Sequence, residues 1–115
     1  MIAFADTFAL IAWLNPRDES HDRVCMYLDG FTGRLVTTEW VLMELADALC
    51  APAARSTTTA FLNAVRSDAF FEVVAYDWAV YRSGFQLFES RPDKEWSLTD
   101  CISFSVMEQR GIVKH

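Results

Sequence analysis

The sequence predicts an α/β domain in which helices pack around a short central parallel sheet. Two observations carry that expectation. Short strand-like runs alternate with longer helical ones along the chain, the order that sets helices against a parallel sheet. The 115 residues are 52 % hydrophobic and 23 % charged, enough apolar material for one core and too little length for a second domain.

The elements follow in order. Ile2 to Ala5 is a short apolar run ending at Asp6. Thr7 to Leu14 has the character of a helix, stopped by Asn15-Pro16 because a residue before proline avoids the helical region. A second helix is expected from Glu19 to Asp29, with Val24, Tyr27 and Leu28 on one side and Gly30 behind it. Arg34 to Thr37 is a second strand feeding a helical pattern from Thr38 to about Cys50, ended by Pro52. Arg55 to Arg66 carries Ala60, Phe61, Ala64 and Val65 at helical spacing. Phe70 to Val74 is the third strand. Trp78, Tyr81, Phe85 and Phe88 then recur at intervals of three and four and mark another helix. After the loop Glu89 to Trp96, a last helix spans Ser97 to Arg110 and ends at Gly111. Ile112 and Val113 have the character of a fourth strand, which the sequence leaves incomplete. The whole, residues 1–115, is expected to be a single domain, either naturally short or shortened at its C-terminus.

Several classes are disfavoured. No apolar run approaches the roughly 20 residues that cross a bilayer. The first fourteen residues contain Asp6 and have neither a basic leader nor a small-residue cleavage site, so a cytoplasmic protein is expected. Cys25, Cys50 and Cys101 are far apart and odd in number, which argues for buried or half-buried reduced thiols rather than a disulfide framework or a zinc knuckle. The net charge is −6, and the ten basic residues, eight of them Arg, are scattered singly. That counts against binding nucleic acid through a broad basic face. It suits surplus carboxylates that hold divalent cations, or docking to a basic partner.

Three carboxylates stand out. Asp6 lies where a strand turns into a helix, and ligands of open α/β sheets bind beyond the carboxyl ends of the strands; it would equally serve as the cap of the helix starting at Thr7. Glu44 interrupts the apolar stretch WVLMELADAL and shares a helical face with Val41, Leu45 and Ala48, whereas Glu39, Met43 and Asp47 line a more polar side. A carboxylate on a buried face is costly unless it is paired or binds a metal, so an arginine partner is the structural alternative. Asp100 completes a capping box with Ser97, and a helix N-terminus also favours a negative charge. Together the three acids form an oxygen-rich set suited to Mg²⁺ or Mn²⁺.

In their order and context these segments resemble the PIN-domain family, especially the VapC-like toxin nucleases. FADTFALIAWLN is similar to the family's first motif, an apolar strand followed by Asp and Thr or Ser, here Asp6 and Thr7. LVTTEWVLMELADAL is similar to the second, whose inner glutamate is here Glu44. WSLTDCISFSVMEQRGI is similar to the third, with its aspartate at Asp100. The resemblance implies a three-layer α/β/α fold and hydrolysis of single-stranded RNA, with Asp6, Glu44 and Asp100 as catalytic residues and ligands of one or two Mg²⁺ or Mn²⁺ ions. Thr7 and Ser97 would orient carboxylates or waters. No histidine is needed, and His21 is expected to be exposed. The resemblance also implies a cognate antitoxin seated in an apolar groove and a homodimer; Trp13, Trp40, Phe61 and Trp78 could serve such partners or the core. A fourth acidic position usually follows the strand that here begins at Ile112, and this sequence has none there. Two other readings stay open: a non-catalytic PIN-like interaction module, and a phosphoryl-transfer domain of the receiver or haloacid-dehalogenase kind. The latter would want a second Asp where Phe8 stands, or a Lys at a late strand end.

Overall fold

In the computed structural model, which describes residues 1–112, the elements run β1 (Ile2–Phe4), α1 (Thr7–Leu14), α2 (His21–Asp29), β2 (Arg34–Thr38), α3 (Glu39–Ala48), α4 (Pro52–Ser67), β3 (Phe71–Val74), α5 (Trp78–Ser90) and α6 (Leu98–Arg110). The three strands form a parallel sheet with β2 in the middle. Ile2 lies opposite Arg34 and Phe4 opposite Val36, while Leu35 pairs with Phe71 and Thr38 with Val74.

Side chains alternate between the two faces of a strand, yet Leu35, Val36, Thr37 and Thr38 are all buried. Both faces of β2 are therefore covered, as a parallel sheet between two helical layers requires. This is the three-layer α/β/α architecture expected from the sequence. The core joins Ala3 and Leu35 of the sheet to Leu10 of α1, Val41 and Leu45 of α3 and Val65 of α4. Trp13, Phe61 and Phe71 close it with mutual ring separations of 5.8 to 6.0 Å, contacts worth about 0.5–1.5 kcal/mol each beyond their buried area. Trp13 and Phe61 thus belong to the core and Trp40 stacks edge-on with Tyr76 at 5.1 Å, whereas Trp78 is 71 % exposed.

Some boundaries moved for identifiable reasons. Pro52, expected only to end a helix, opens α4, since a first-turn proline loses no helical hydrogen bond. Thr38 ends β2 and caps α3, its hydroxyl accepting from the Val41 N–H at 3.1 Å. The expected fourth strand lies outside the described residues from Val113 onward. Ile112 itself completes the end of α6, donating its N–H to Met107 O at 2.9 Å behind Gly111, whose φ of 66° is the left-handed turn that closes a helix. Cys50 is exposed rather than buried; Cys25 is half-buried, Cys101 buried, and all three are free thiols.

Helices α5 and α6 run in close contact at Gly84. A Cβ there would sit 2.4 Å from Ile102 Cγ1 and 2.7 Å from Ile102 Cα. Only hydrogen fits between the two backbones, and this contact sets where α6 presents its first turn.

Candidate functional site

The site begins at the carboxyl ends of β1 and β2. The Ala5 N–H donates to Val36 O at 2.9 Å, and the buried Thr37 hydroxyl donates to Ala5 O at 2.9 Å. These bonds lock the end of β1 to β2 and fix the point at which the chain turns into α1. Asp6 occupies that turn with extended backbone, and its Oδ1 accepts the Ala9 N–H at 2.8 Å. The cap expected from the sequence is thus present, and it occupies one carboxylate oxygen. Asp6 is otherwise exposed. The neighbouring Thr7 Oγ1 is buried and without a hydrogen-bond partner among the described residues.

Asp100 reaches the same place from the other end of the chain. The Ser97 hydroxyl accepts the Asp100 N–H and Asp100 Oδ2 accepts the Ser97 N–H, both at 3.0 Å, the reciprocal box that the sequence predicts. Asp100 is half-buried. It and Asp6 line one solvent-open cavity of about 450 Å³ walled by β1, α1, α2 and α6 together with Leu35 of β2 and Trp96. Each carboxylate holds a cap N–H with one oxygen and has no protein partner for the other among the described residues. Burial pushes the adjacent Cys101 thiol up from its ordinary value, and the negative charge of Asp100 adds to the shift.

Glu44 is placed differently. Val41, Leu42 and Leu45 form the buried side of α3, while Ala48, expected on that side, is exposed. Glu44 sits at the border, half-buried, and does not line the cavity shared by Asp6 and Asp100. The arginine expected as its structural alternative is absent: among the described residues Glu44 makes no ion pair, and the four pairs present involve Glu39, Glu72 and Asp93. Glu39 is fully engaged, with Arg66 donating to both its oxygens, one at 2.8 Å, and this holds its carboxyl below the usual range. Among the described residues no three His, Cys, Asp or Glu side chains converge tightly enough to hold a metal by themselves.

The sequence marked three lining residues as part of no site, although it set Tyr27 with Val24 and Leu28 on one side of α2. Arg23 and Tyr27 sit one turn apart on α2 and both face the cavity, as residues four apart on a helix do; that spacing was visible, but its target was not. Trp96 lines the wall beside Asp100 from a loop position that no periodicity marks. His21 is not exposed: it is half-buried, with Nδ1–H donating to Ala12 O at 2.7 Å and the Cys25 sulfur 3.5 Å from Nε2.

Comparison with known proteins bears on this geometry. The family model described as PIN domain matches residues 3–114. Among solved structures, VapC20 of Mycobacterium tuberculosis, a sarcin-ricin loop cleaving toxin, superposes with a TM-score of 0.87 at 22 % identity, over 97 % of this chain and 85 % of that one. FitAcB from Neisseria gonorrhoeae gives 0.63 at 16 % identity, over 97 % and 84 %. No curated protein sequence matches. The structural likenesses establish the shared fold, and the family match spans nearly the whole chain, so this protein belongs to the PIN domain family.

Proposed function

We propose that the protein is a metal-dependent endoribonuclease that hydrolyses single-stranded RNA and acts as the toxin of a toxin–antitoxin pair. PIN domains are a family of nucleases. The observation that attaches the reading to particular residues is the pair Asp6 and Asp100, two carboxylates from distant segments facing one cavity with an oxygen each to spare.

The donor set fits a hard divalent cation. Mg²⁺ is held by one or two carboxylates while water and substrate phosphate fill the remaining positions, so a preformed cluster of three protein ligands is not required. Asp6 and Asp100 would hold Mg²⁺ or Mn²⁺, with Glu44, a half-buried carboxylate lacking a counter-ion among the described residues, as the third acid. When bound, the ion supplies a water of lowered pKa and offsets charge on the phosphate. The protein's own residues orient the substrate and the carboxylates. The caps at Ala9 and Ser97 hold the two aspartates in fixed rotamers, and Arg23 brings the cavity a cation able to meet a phosphate oxygen. His21 is engaged by Ala12 O and is not proposed as the base. The partners proposed are the RNA, a cognate antitoxin and a second copy of the chain, in the cytoplasm. The likeness to a sarcin-ricin loop cleaving toxin supports RNA as the polymer.

The competing reading, a non-catalytic interaction module, draws on the lack of a three-ligand cluster among the described residues. Incubation with unstructured RNA in Mg²⁺ or Mn²⁺ decides between them. The enzyme predicts cleavage that chelation stops and that Asp6→Asn abolishes. A wild-type protein inert towards RNA with either ion would refute it.

A further inference from the structure

Trp96 lines two cavities. One is the cavity faced by Asp6 and Asp100; the second, of about 360 Å³, is lined by Phe85 and Phe88 of α5 and by Arg91 and Lys94 of the following loop. The indole is held edge-on against Phe104, with ring centroids 5.0 Å apart, and Arg91 Cζ and Lys94 Nζ lie 5.5 and 5.6 Å from its own centroid. Phe85 and Phe88 are 37 % and 44 % exposed, their centroids 6.4 Å apart and the rings tilted by 31°. Of the charged residues lining this second cavity, Arg91 is engaged by Asp93 through two bonds of 2.9 Å and Glu89 is acidic. Lys94 is the cation with no carboxylate partner among the described residues.

Exposed aromatic rings beside a cation that has no carboxylate partner are what single-stranded nucleic acid binds: bases stack on the rings and the backbone meets the positive charge. The wall that Trp96 shares with the carboxylate cavity sets this surface beside the proposed point of cleavage. We infer that the Phe85–Phe88–Trp96 cavity is a nucleotide subsite of the RNA substrate. A base next to the scissile phosphodiester stacks on the exposed ring of Phe88, which Phe85, itself stacked on Tyr81 at 6.0 Å, backs from within α5; its phosphate meets Lys94, while the bond to be cut lies across Trp96 before Asp6 and Asp100. The inference rests on the nuclease reading and deepens it. Stacking accepts any base, so this subsite contributes grip rather than sequence choice.

The test uses the full chain and a fluorescent single-stranded RNA oligonucleotide that the wild type cleaves, together with versions made abasic at one position at a time. Phe88→Ala should raise KM by about five- to 150-fold, the range that losing one base–aromatic stack implies, and leave kcat within about twofold. One abasic position beside the cut should produce the same rise in the wild type and no further rise in Phe88→Ala. Phe88→Tyr should restore wild-type KM. Lys94→Ala should flatten the dependence of log affinity on log salt by about 0.7, the contribution of one phosphate on a single strand. An unchanged KM and salt slope in both alanine variants, with cleavage intact, overturns the subsite. So does a Phe88→Ala protein whose only change is conversion of a dimer to a monomer in sedimentation, which would make the surface a contact between copies. Failure of the nuclease reading looks different: the wild type then cuts no RNA, and the subsite falls with it.

Discussion

Gly84→Ala is the perturbation whose size the structure fixes best. The added Cβ would lie 2.4 Å from Ile102 Cγ1, 2.7 Å from its Cα and 2.9 Å from its N, where non-bonded carbon atoms normally keep about 3.5–4.0 Å. Rotating the Ile102 side chain relieves the first contact but not the two with backbone, so α5 and α6 must separate by about 1 Å. Ile102 is fully buried, which places the overpacking cost in the upper part of its usual range, about 2–3 kcal/mol. Alanine regains about 1 kcal/mol of helix propensity over glycine, leaving a net loss of about 1–2 kcal/mol. An unfolding entropy of about 2.1 cal/mol/K per residue over this chain converts that loss into a fall in Tm of about 4–8 °C. Thermal unfolding followed by circular dichroism measures it. Because α6 carries Asp100, RNA cleavage should fall in the same variant even at temperatures where it is fully folded. A Tm equal to or above the wild type would refute the close helix contact and the positioning of Asp100 derived from it.

Asp100→Asn keeps an oxygen for the Ser97 N–H, so Tm should change by less than about 2 °C, while RNA cleavage should drop on the order of 100-fold or more with the lost charge. Comparable losses in stability and activity would make Asp100 merely a cap. Glu44→Gln replaces a half-buried carboxylate that makes no ion pair among the described residues. The same change should shrink the rise in Tm that Mn²⁺ gives the wild type; an undiminished rise excludes Glu44 as a ligand. Arg66 holds the Glu39 carboxyl below its ordinary value of 4.5, so this pair stabilises the fold above that pH and the contribution disappears as pH falls through the lowered pKa. Arg66 is half exposed, which limits the effect to about 0.5–1 kcal/mol. Urea unfolding from pH 6 to pH 3 should therefore show a shallower decline in Glu39→Gln than in the wild type, and equal slopes would contradict the assignment.

The parts legible beforehand were those governed by residues within about four positions of one another. Ser97 and Asp100 announce the start of α6, Asp6 the start of α1 and Gly111 the end of α6, because a helix terminus is satisfied by its immediate neighbours. The alternation of runs gave the strand order along the chain. Pro52 misled because proline is as suited to opening a helix as to following one. His21 misled because the carbonyl that accepts from it lies on another helix. Trp96 carried no signal, since a lone aromatic in a polar loop has no periodicity to place it.

The sequence by itself therefore determined an α/β domain, its capped helices and the identity of the acids worth following. The tertiary structure decided which of them meet. Asp6 and Asp100 belong to opposite ends of the chain and share a cavity only because the β1–β2 ladder fixes the start of α1 while the contact at Gly84 fixes α6. Glu44 was singled out by its apolar neighbours, yet its depth depends on how α3 lies against the sheet, and it came to rest at the border of the buried face. Local hydrogen bonding makes an element readable in a short window, but a site depends on packing between windows, and packing is settled by volumes and contacts that no single window contains.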